Sequence, residues 1–445
     1  MNHDPSDLLN NPSRRLWMAA GTLGAMGAVP SAQAQVPAPV APPPVPVPPG
    51  AAPGVLATDE AHWARVAALF PADRGIVNLE NGYFGMMGQA VAQEYQRNIE
   101  LVNTKASYYV RTQYDAGGAG RIRDRVAREL GALPEEIAIT RGATEALQNL
   151  ITNYNRLRPG DVAMYADLDY DSMQYAMTYL KERRGAEVVK IALPEPATHQ
   201  GVIDAYARAL DQHPRTKLLL LTHVSHRTGL LVPVAEVSRL ARSRGVDVIV
   251  DAAHSWGQID FQVNELGVDF AGFNLHKWMG APLGVGFLYI RKGRLEDISR
   301  AFEDGDFPPT DVRSRVHSGT TNIANVMTVP AALDLHRAIG APAKEARLRH
   351  LRDRWVRQVR DLPNLQVLTP DDARMHAGIT SVRLKDKTSR DDNLKLAARL
   401  REEFGIFTVR RGGVAAGDCV RISPALFTTA EDIDRLVRAL RAIAA

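Results

Sequence analysis

The chain has 445 residues, 45% of them hydrophobic, which is enough for two domains or for one large domain with an appendage. Its 54 basic and 50 acidic side chains leave a net charge of only +4, and the scattered basic residues argue against a nucleic-acid partner. Cys419 is the single cysteine, which excludes an intrachain disulfide and cysteine clusters that bind zinc or iron–sulfur.

The N-terminus has the three parts of an export leader in the right order. Arg14 and Arg15 precede a short apolar stretch, and residues 31–34 read SAQA, an A-x-A cleavage pattern. The paired arginines resemble a twin-arginine (Tat) signal, so we predict a signal peptide over residues 1–34, passage through the Tat translocase and a periplasmic location. The apolar stretch is too short and too glycine-rich for a stable membrane span.

Residues 35–57 are rich in proline and valine, which favours extended polyproline II and predicts a linker. The folded part is therefore predicted to begin at residue 58. A large domain is expected over residues 58–330, where short apolar runs alternate with helical segments. A smaller C-terminal α/β domain is expected over residues 331–445, where long amphipathic helices appear.

Alternating strands and helices predict an α/β fold with a large, doubly wound, mostly parallel sheet. Its predicted strands read EEIAIT, DVAMYA, EVVKIAL, KLLLLTHVS, VDVIVDAA, DFAGFNL and GVGFLYIR. The smaller domain has strands NLQVLT, ITSVRL and CVRIS. Its last helix is expected to begin at Thr429, which opens a capping signal, and its apolar positions lie on one face.

Four segments near strand ends carry residues suited to chemistry, because open α/β sheets bind ligands at the carboxyl ends of their strands. In TRGATEALQNLI, Gly142 allows a tight turn, and Ala143 and Thr144 offer amides at a helix start that suits a phosphate. An ordinary capped helix would also explain this segment. In VDVIVDAAHSWG, Asp251 ends an apolar strand and would suit a cationic ring nitrogen; an N-cap aspartate is the alternative.

The other two segments contain single basic residues in apolar surroundings. Lys277 ends the run DFAGFNLHK, where burial would give a neutral amine able to form a Schiff base, unless the side chain snorkels to water. Arg421 lies inside the strand CVRIS and could bind a substrate carboxylate in bidentate fashion, or form a structural ion pair. Together the four segments supply what pyridoxal 5′-phosphate (PLP) requires.

From about residue 78 to the C-terminus, the chain resembles the class V aminotransferase family of fold type I PLP enzymes, in the style of its isopenicillin N epimerase-like branch. The stretches that carry the resemblance are NLENGYFGMM, TRGATEALQNLI, DLDYDSMQY, LTHVSHRTGLLVPV, DAAHSWGQ, FNLHKWMGAPLGVGFLYIR, HSGTTN and VRISPALFTTAEDIDRL. The fold implied is a PLP-dependent transferase fold of type I.

The resemblance implies a role for each matching residue. Lys277 is the Schiff-base lysine, Asp251 the partner of the pyridine nitrogen, and His254 a contact of the ring hydroxyl. The remaining roles are stacking on the ring for Tyr170, phosphate binding for Ala143, Thr144 and His276, the α-carboxylate for Arg421, and the substrate entrance for Asn81 and Tyr83. The family forms dimers, so Thr320 or Thr321 is expected to reach the phosphate of the neighbouring subunit.

Two positions depart from the relatives. His226 stands where many carry asparagine, and Asn274 stands where some place a phosphate-binding serine. The loop RRGGVAAGD contains no cysteine, and Cys419 is interpreted as a packing residue, so a cysteine desulfurase reaction is set aside.

Three readings of the activity remain open. The first is an aminotransferase-type reaction on an amino acid or on an exported peptide-like metabolite, such as a siderophore. The second is an epimerase or racemase, which needs acid–base groups on both faces of Cα, with Tyr170, His226 or Tyr83 opposite Lys277. The third is a binding protein that keeps the fold without turnover, against which the intact Lys277 and Asp251 argue.

Overall fold

The computed structural model of the chain describes residues 51–445, which form an α/β fold with a seven-stranded and a four-stranded sheet. The predicted leader over residues 1–34 and residues 35–50 of the predicted linker lie outside the described residues. Packing begins slightly before residue 58, because Leu56 and Ala57 are already buried. No helix within residues 51–445 has both the length and the apolarity needed to cross a membrane.

The seven-stranded sheet is mostly parallel, as predicted. Its order is β2-β8-β7-β6-β5-β3-β4, and only β8 runs antiparallel to its neighbours. The strands are β2 (Ile137–Thr140), β3 (Val162–Ala166), β4 (Glu187–Ile191), β5 (Thr216–Thr222), β6 (Asp247–Asp251), β7 (Phe270–Asn274) and β8 (Gly286–Ile290).

Helices cover both faces of this sheet and bury its apolar side chains in two clusters. Within residues 51–330 they are α1 (Pro53–Leu56), α2 (Glu60–Ala67), α3 (Gln89–Tyr109), α4 (Ala119–Leu130), α5 (Ala143–Asn153), α6 (Asp171–Arg184), α7 (His199–Gln212) and α8 (Val234–Ser243). Helix α9 (Ile323–Ile339) covers residue 330, where the sequence predicts the domain boundary, and the division into two domains stays a prediction.

The four-stranded sheet is antiparallel, in the order β12-β13-β10-β9. Its strands are β9 (Leu365–Val367), β10 (Thr380–Leu384), β12 (Val409–Arg411) and β13 (Cys419–Ile422). Helices α10 (Ala341–Val359), α11 (Arg390–Phe404) and α12 (Ala430–Ala444) pack on it around a separate apolar cluster. Helix α12 begins at the expected capping box of Thr429 and Asp432.

An early segment of the chain joins the second sheet region. Strand β1 (Val77–Asn78) pairs in parallel with β11 (Ile406–Phe407), and Glu80 continues the pairing with Ser423. This pairing brings residues 77–81 beside β13, and it was not expected from the sequence.

The predicted strands are confirmed, with bounds shorter than the apolar runs that indicated them. Strands β1, β11 and β12 are additional. Lys277 does not end a strand as expected, because β7 stops at Asn274 and the lysine lies in the turn that follows.

Candidate active site

A cavity of about 470 Å³ opens at the carboxyl ends of three neighbouring parallel strands. Thr222, Asp251 and Asn274, the last residues of β5, β6 and β7, line it. Most residues that the sequence singled out also line it, namely Tyr83, Gly142, Ala143, Thr144, Tyr170, His226, His254, His276, Lys277 and Arg421.

Three predicted residues lie elsewhere. The Asn81 side-chain amide donates to the carbonyls of Asn78 and Ser423, so it links two backbone segments. The residue lines a smaller, separate cavity. Thr321 lines another cavity, and Thr320 is exposed and lines neither that cavity nor the large one. A role for either threonine at a neighbouring subunit's phosphate stays a prediction.

Lys277 and His254 form the central contact of the cavity. The Nζ atom of Lys277 lies 2.8 Å from Nε2 of His254, and the Trp278 indole N–H donates to Nδ1 of the same ring at 3.3 Å. An indole N–H can only donate, so Nδ1 of the neutral imidazole has to accept and Nε2 carries the hydrogen. That hydrogen points at Lys277, which can accept it only as a neutral amine.

The surroundings of Lys277 favour the same protonation state. The lysine residue is partly exposed as a whole, but its amine end is enclosed. Burial lowers the pKa of Lys277 to about 7; the charges of Arg421 and Arg411 also lower it, and that of Asp251 opposes them. Burial likewise holds the pKa of His254 well below its usual value, so the imidazole is neutral.

Asp251 is a buried carboxylate with few partners. Its Oδ1 accepts the Ala253 amide at 2.9 Å, and it has no salt bridge to any residue in the range 51–445. Burial raises its pKa, and the Ala253 amide and the charge of Lys277 oppose that effect only in part. A protonated ring nitrogen would supply a further positive charge.

The turn from β2 into α5 forms a cradle for an anion. Gly142 has φ +151°, and a Cβ there would lie 3.1 Å from Asn274 Oδ1 and 3.3 Å from the His276 ring, so only glycine fits this approach. The amide of Ala143, expected to hold the phosphate, instead donates to Asn274 Oδ1 at 2.7 Å. Thr144 therefore becomes the better donor, because its first-turn amide has no acceptor within the helix.

His276 reaches the cradle in one particular tautomer. Its Nδ1 lies 3.1 Å from the Val285 carbonyl, which can only accept, so Nδ1 carries the hydrogen. Burial lowers the pKa of His276 to about 4. The ring can donate to a phosphate through Nε2 only after it takes up a proton, which a bound dianion would favour.

Tyr170 and His226 lie together on another part of the wall. The tyrosine is the N-cap residue of α6, and its ring meets the His226 ring edge-on, with centroids 5.1 Å apart. Nδ1 of His226 is buried without a hydrogen-bond partner among the described residues. Such an unpaired polar atom is costly unless a bound group contacts it.

Arg421 lies in β13 as expected, but it is already paired. Its Nε and Nη2 donate to the Glu80 carboxylate, and Nη1 donates to the His226 carbonyl at 2.8 Å. Glu80 also pairs with Arg411, at 2.9 Å.

Glu80, Arg411 and Trp278 are parts of this site that the sequence did not point to. Trp278 follows Lys277 directly, which could have drawn attention to it. Glu80 is 341 residues away from its partner Arg421, and no local pattern could have indicated that contact.

These features fit PLP. The unpaired carboxylate of Asp251 suits the ring nitrogen, the unpartnered Nδ1 of His226 suits a polar group on the ring, and the Gly142 turn suits the phosphate. Together with the enclosed amine of Lys277 in the same cavity, these features and the fold define a PLP-dependent enzyme of fold type I.

Comparisons with known proteins agree with this class. Residues 86–436 match the family described as Aminotransferase class-V. An isopenicillin N epimerase from Streptomyces clavuligerus is 35% identical over 342 residues, which cover 72% of this chain and 83% of that protein. The chain therefore belongs to the class V aminotransferase family, and its cofactor is PLP.

Other relatives have a different reaction in their names. A probable cysteine desulfurase from Vibrio cholerae is 27% identical over 399 residues, which cover 84% of this chain and 96% of that protein. The solved structure of a cysteine desulfurase from Thermococcus onnurineus matches with a TM-score of 0.72 at 19% identity, covering 85% of this chain and 97% of that one. The structural match supports the fold.

The rate at which the cofactor-free protein captures PLP should rise with pH through a midpoint near 7, because only the neutral amine of Lys277 attacks the aldehyde. Trp278→Phe should move the midpoint upward. Without the indole N–H, the His254 hydrogen can shift to Nδ1, and Nε2 can then accept from a protonated lysine. Stopped-flow absorbance measures the profile.

Trp256→Phe is the matched control, because Trp256 is a buried tryptophan that packs on Phe273 and Phe287 instead of on His254. It should leave the midpoint unchanged. A midpoint near 10 in the natural protein, or the same midpoint in Trp278→Phe, would contradict this account of the lysine.

Proposed function

We propose that this chain uses PLP to act on the amino group or Cα of an amino acid or peptide-like substrate, with an aminotransferase-type reaction as the first candidate. The observation that carries the proposal is the enclosed, neutral amine of Lys277, 2.8 Å from Nε2 of His254. A neutral amine can bind the cofactor and later move a proton.

The residues of the cavity would have different roles in this reaction. PLP, when bound, withdraws electrons from Cα and so acidifies its proton. Asp251 would hold the ring nitrogen in its protonated form, and the Tyr170 ring would cover one face of the pyridine. Lys277 would take the proton from Cα and return it, while the enclosed wall limits the access of water.

An epimerase is the second candidate, favoured by the 35% identical isopenicillin N epimerase. Epimerisation needs a second acid–base group opposite Lys277. His226 is neutral and buried, its Nδ1 is unpaired among the described residues, and it contacts Tyr170, which supports this pair as the candidate for that group.

A cysteine desulfurase reaction has weaker support from the cavity. Cys419 is buried and is absent from the cavity wall; its Sγ lies 3.6 Å from the Arg227 carbonyl. Burial raises the pKa of its thiol to about 11, so it is a poor nucleophile near neutral pH.

The location and assembly of the enzyme are further parts of the proposal. The paired arginines and the SAQA pattern support export to the periplasm through the Tat route, which favours a secreted peptide-like metabolite, such as a siderophore, as substrate. Family membership supports a homodimer in which Thr320 or Thr321 reaches the partner's phosphate.

Replacing Lys277 by Met should abolish the visible absorbance of covalently bound PLP and leave the protein folded. Lys344→Met provides a close control, because Lys344 is also buried and burial also lowers its pKa to about 7, but it bonds to the Trp278 carbonyl and His336 outside the large cavity. Absorbance spectra show whether each variant binds PLP covalently, and circular dichroism spectra show whether it is folded. Retention of the visible band in Lys277→Met would refute the assignment of Lys277 as the lysine that binds PLP covalently.

The reaction type can be read by mixing the holoenzyme with L-amino acids and short peptides in heavy water, without an amino acceptor. An aminotransferase should release about one keto acid per active site and then stop, because the amino group stays on the enzyme. Continued deuterium incorporation at Cα, with both chiral forms in the product, would instead establish the epimerase. Mass spectrometry and chiral chromatography measure both outcomes.

Substituting Arg14 and Arg15 together by Lys should leave the full-length chain in the cytoplasm, because the Tat route reads the paired guanidinium groups. Fractionation and mass spectrometry of the N-terminus would show whether the natural chain, in contrast, is periplasmic and begins at Gln35. A periplasmic, processed double variant would argue against Tat export.

A further inference from the structure

Three charged side chains, Glu80, Arg411 and Arg421, form a cluster that we call the two-arginine cluster. Both arginines line the large cavity, and both pair with the one carboxylate of Glu80. Two guanidinium groups share a single negative charge, so the cluster retains one net positive charge beside the substrate space.

The strand register explains why both arginines reach the same place. Strands β12 and β13 are antiparallel, with Arg411 opposite Cys419 and Val409 opposite Arg421. Arg411 and Arg421 are therefore diagonal neighbours on the same face. Arg410 points to the other face, where it pairs with Asp418, and it is not part of the cavity wall.

The two arginines differ in how many of their hydrogens are used. Arg421 is 1% exposed and donates three hydrogen bonds, two to Glu80 and one to the His226 carbonyl. A Cβ on Gly82 would lie 2.7 Å from its guanidinium, so the backbone also covers one side. A guanidinium has five N–H donors, which leaves Arg421 about two.

Arg411 uses fewer of its hydrogen-bond donors than Arg421 does. Its side chain is 27% exposed, and within the described residues its only charged partner is Glu80, at 2.9 Å. Its Nε is among the polar atoms without a hydrogen-bond partner in that part of the chain. Arg411 is thus the guanidinium with most donors to spare, and it belongs to the wall of the proposed catalytic cavity.

We propose that Arg411 binds a second acidic group of the substrate, so that the enzyme prefers an amino compound with two carboxylates, such as a dicarboxylic amino acid or an acidic peptide end. This inference rests on the proposed function, in which Arg421 holds the α-carboxylate. Glu80 acts as a fixed spacer that holds the two guanidinium groups side by side.

The test compares the binding of two unreactive carboxylates, glutarate and butyrate, to the holoenzyme by isothermal titration calorimetry. Glutarate should bind at least about 10-fold more tightly than butyrate, as expected for one additional charge-assisted contact. Arg411→Gln should weaken glutarate about 10- to 100-fold and leave butyrate within about 2-fold, since hydrogen bonds to charged groups carry that range. Arg411→Lys, which keeps the charge without the planar fork, should give an intermediate loss.

Arg410→Gln is the matched control and should leave both affinities unchanged, because Arg410 faces away from the cavity. Equal binding of glutarate and butyrate by the natural protein would overturn the proposal. So would an Arg411→Gln variant that is folded, by its circular dichroism spectrum, and weakens both ligands equally.

The binding measurement needs no turnover, so the two proposals can fail separately. Loss of glutarate selectivity in Arg411→Gln, together with an unchanged visible band in Lys277→Met, would overturn the proposed function alone. Loss of the visible band in Lys277→Met, together with equal binding of glutarate and butyrate by the natural protein, would overturn the Arg411 subsite alone.

Discussion

The hydrogen bond between Lys277 and His254 is the interaction on which the cavity depends. An enclosed ammonium would be costly, and the imidazole beside it is also enclosed and neutral. The indole of Trp278 removes the remaining choice, because it occupies Nδ1 and directs the other hydrogen at the amine. Three adjacent groups therefore favour the neutral amine, and no carboxylate within residues 51–445 forms a hydrogen bond or salt bridge with the lysine.

The surrounding charges shift the pKa of that amine in opposite directions. Asp251 tends to raise the pKa of Lys277, whereas Arg421 and Arg411 tend to lower it. Glu80 carries a negative charge, which raises the pKa of Lys277 and so limits the lowering by the two arginines. The same carboxylate thus tempers the reactivity of the lysine while it orders the cations that would receive an acidic substrate.

Much of this arrangement could be predicted from the sequence, because its signals are local. Strands β2 to β8 follow from apolar runs, Asp251 is the last residue of β6, and Gly142 lies in the turn just after β2. Strand β12 escaped prediction because it is three residues long and contains Arg410 and Arg411, which do not resemble a buried strand. The pairing of Glu80 with Arg421 depends on tertiary folding, which no short pattern encodes.

The difference between local signals and tertiary contacts also explains why the Ala143 amide is not free at the phosphate cradle. The sequence correctly indicates a turn and a helix start at Gly142, but the Ala143 amide is taken by a side chain from β7, 131 residues later. Which donor stays free is decided by the neighbouring strand and not by the helix that presents it.

Glu80 lies beside Ser423, and the cavity-lining residues Arg411 and Arg421 come from β12 and β13. These two arginines follow Lys277 and every other residue that lines the cavity along the chain. The part of the wall that would receive an acidic substrate is therefore synthesised after the lysine and the phosphate cradle.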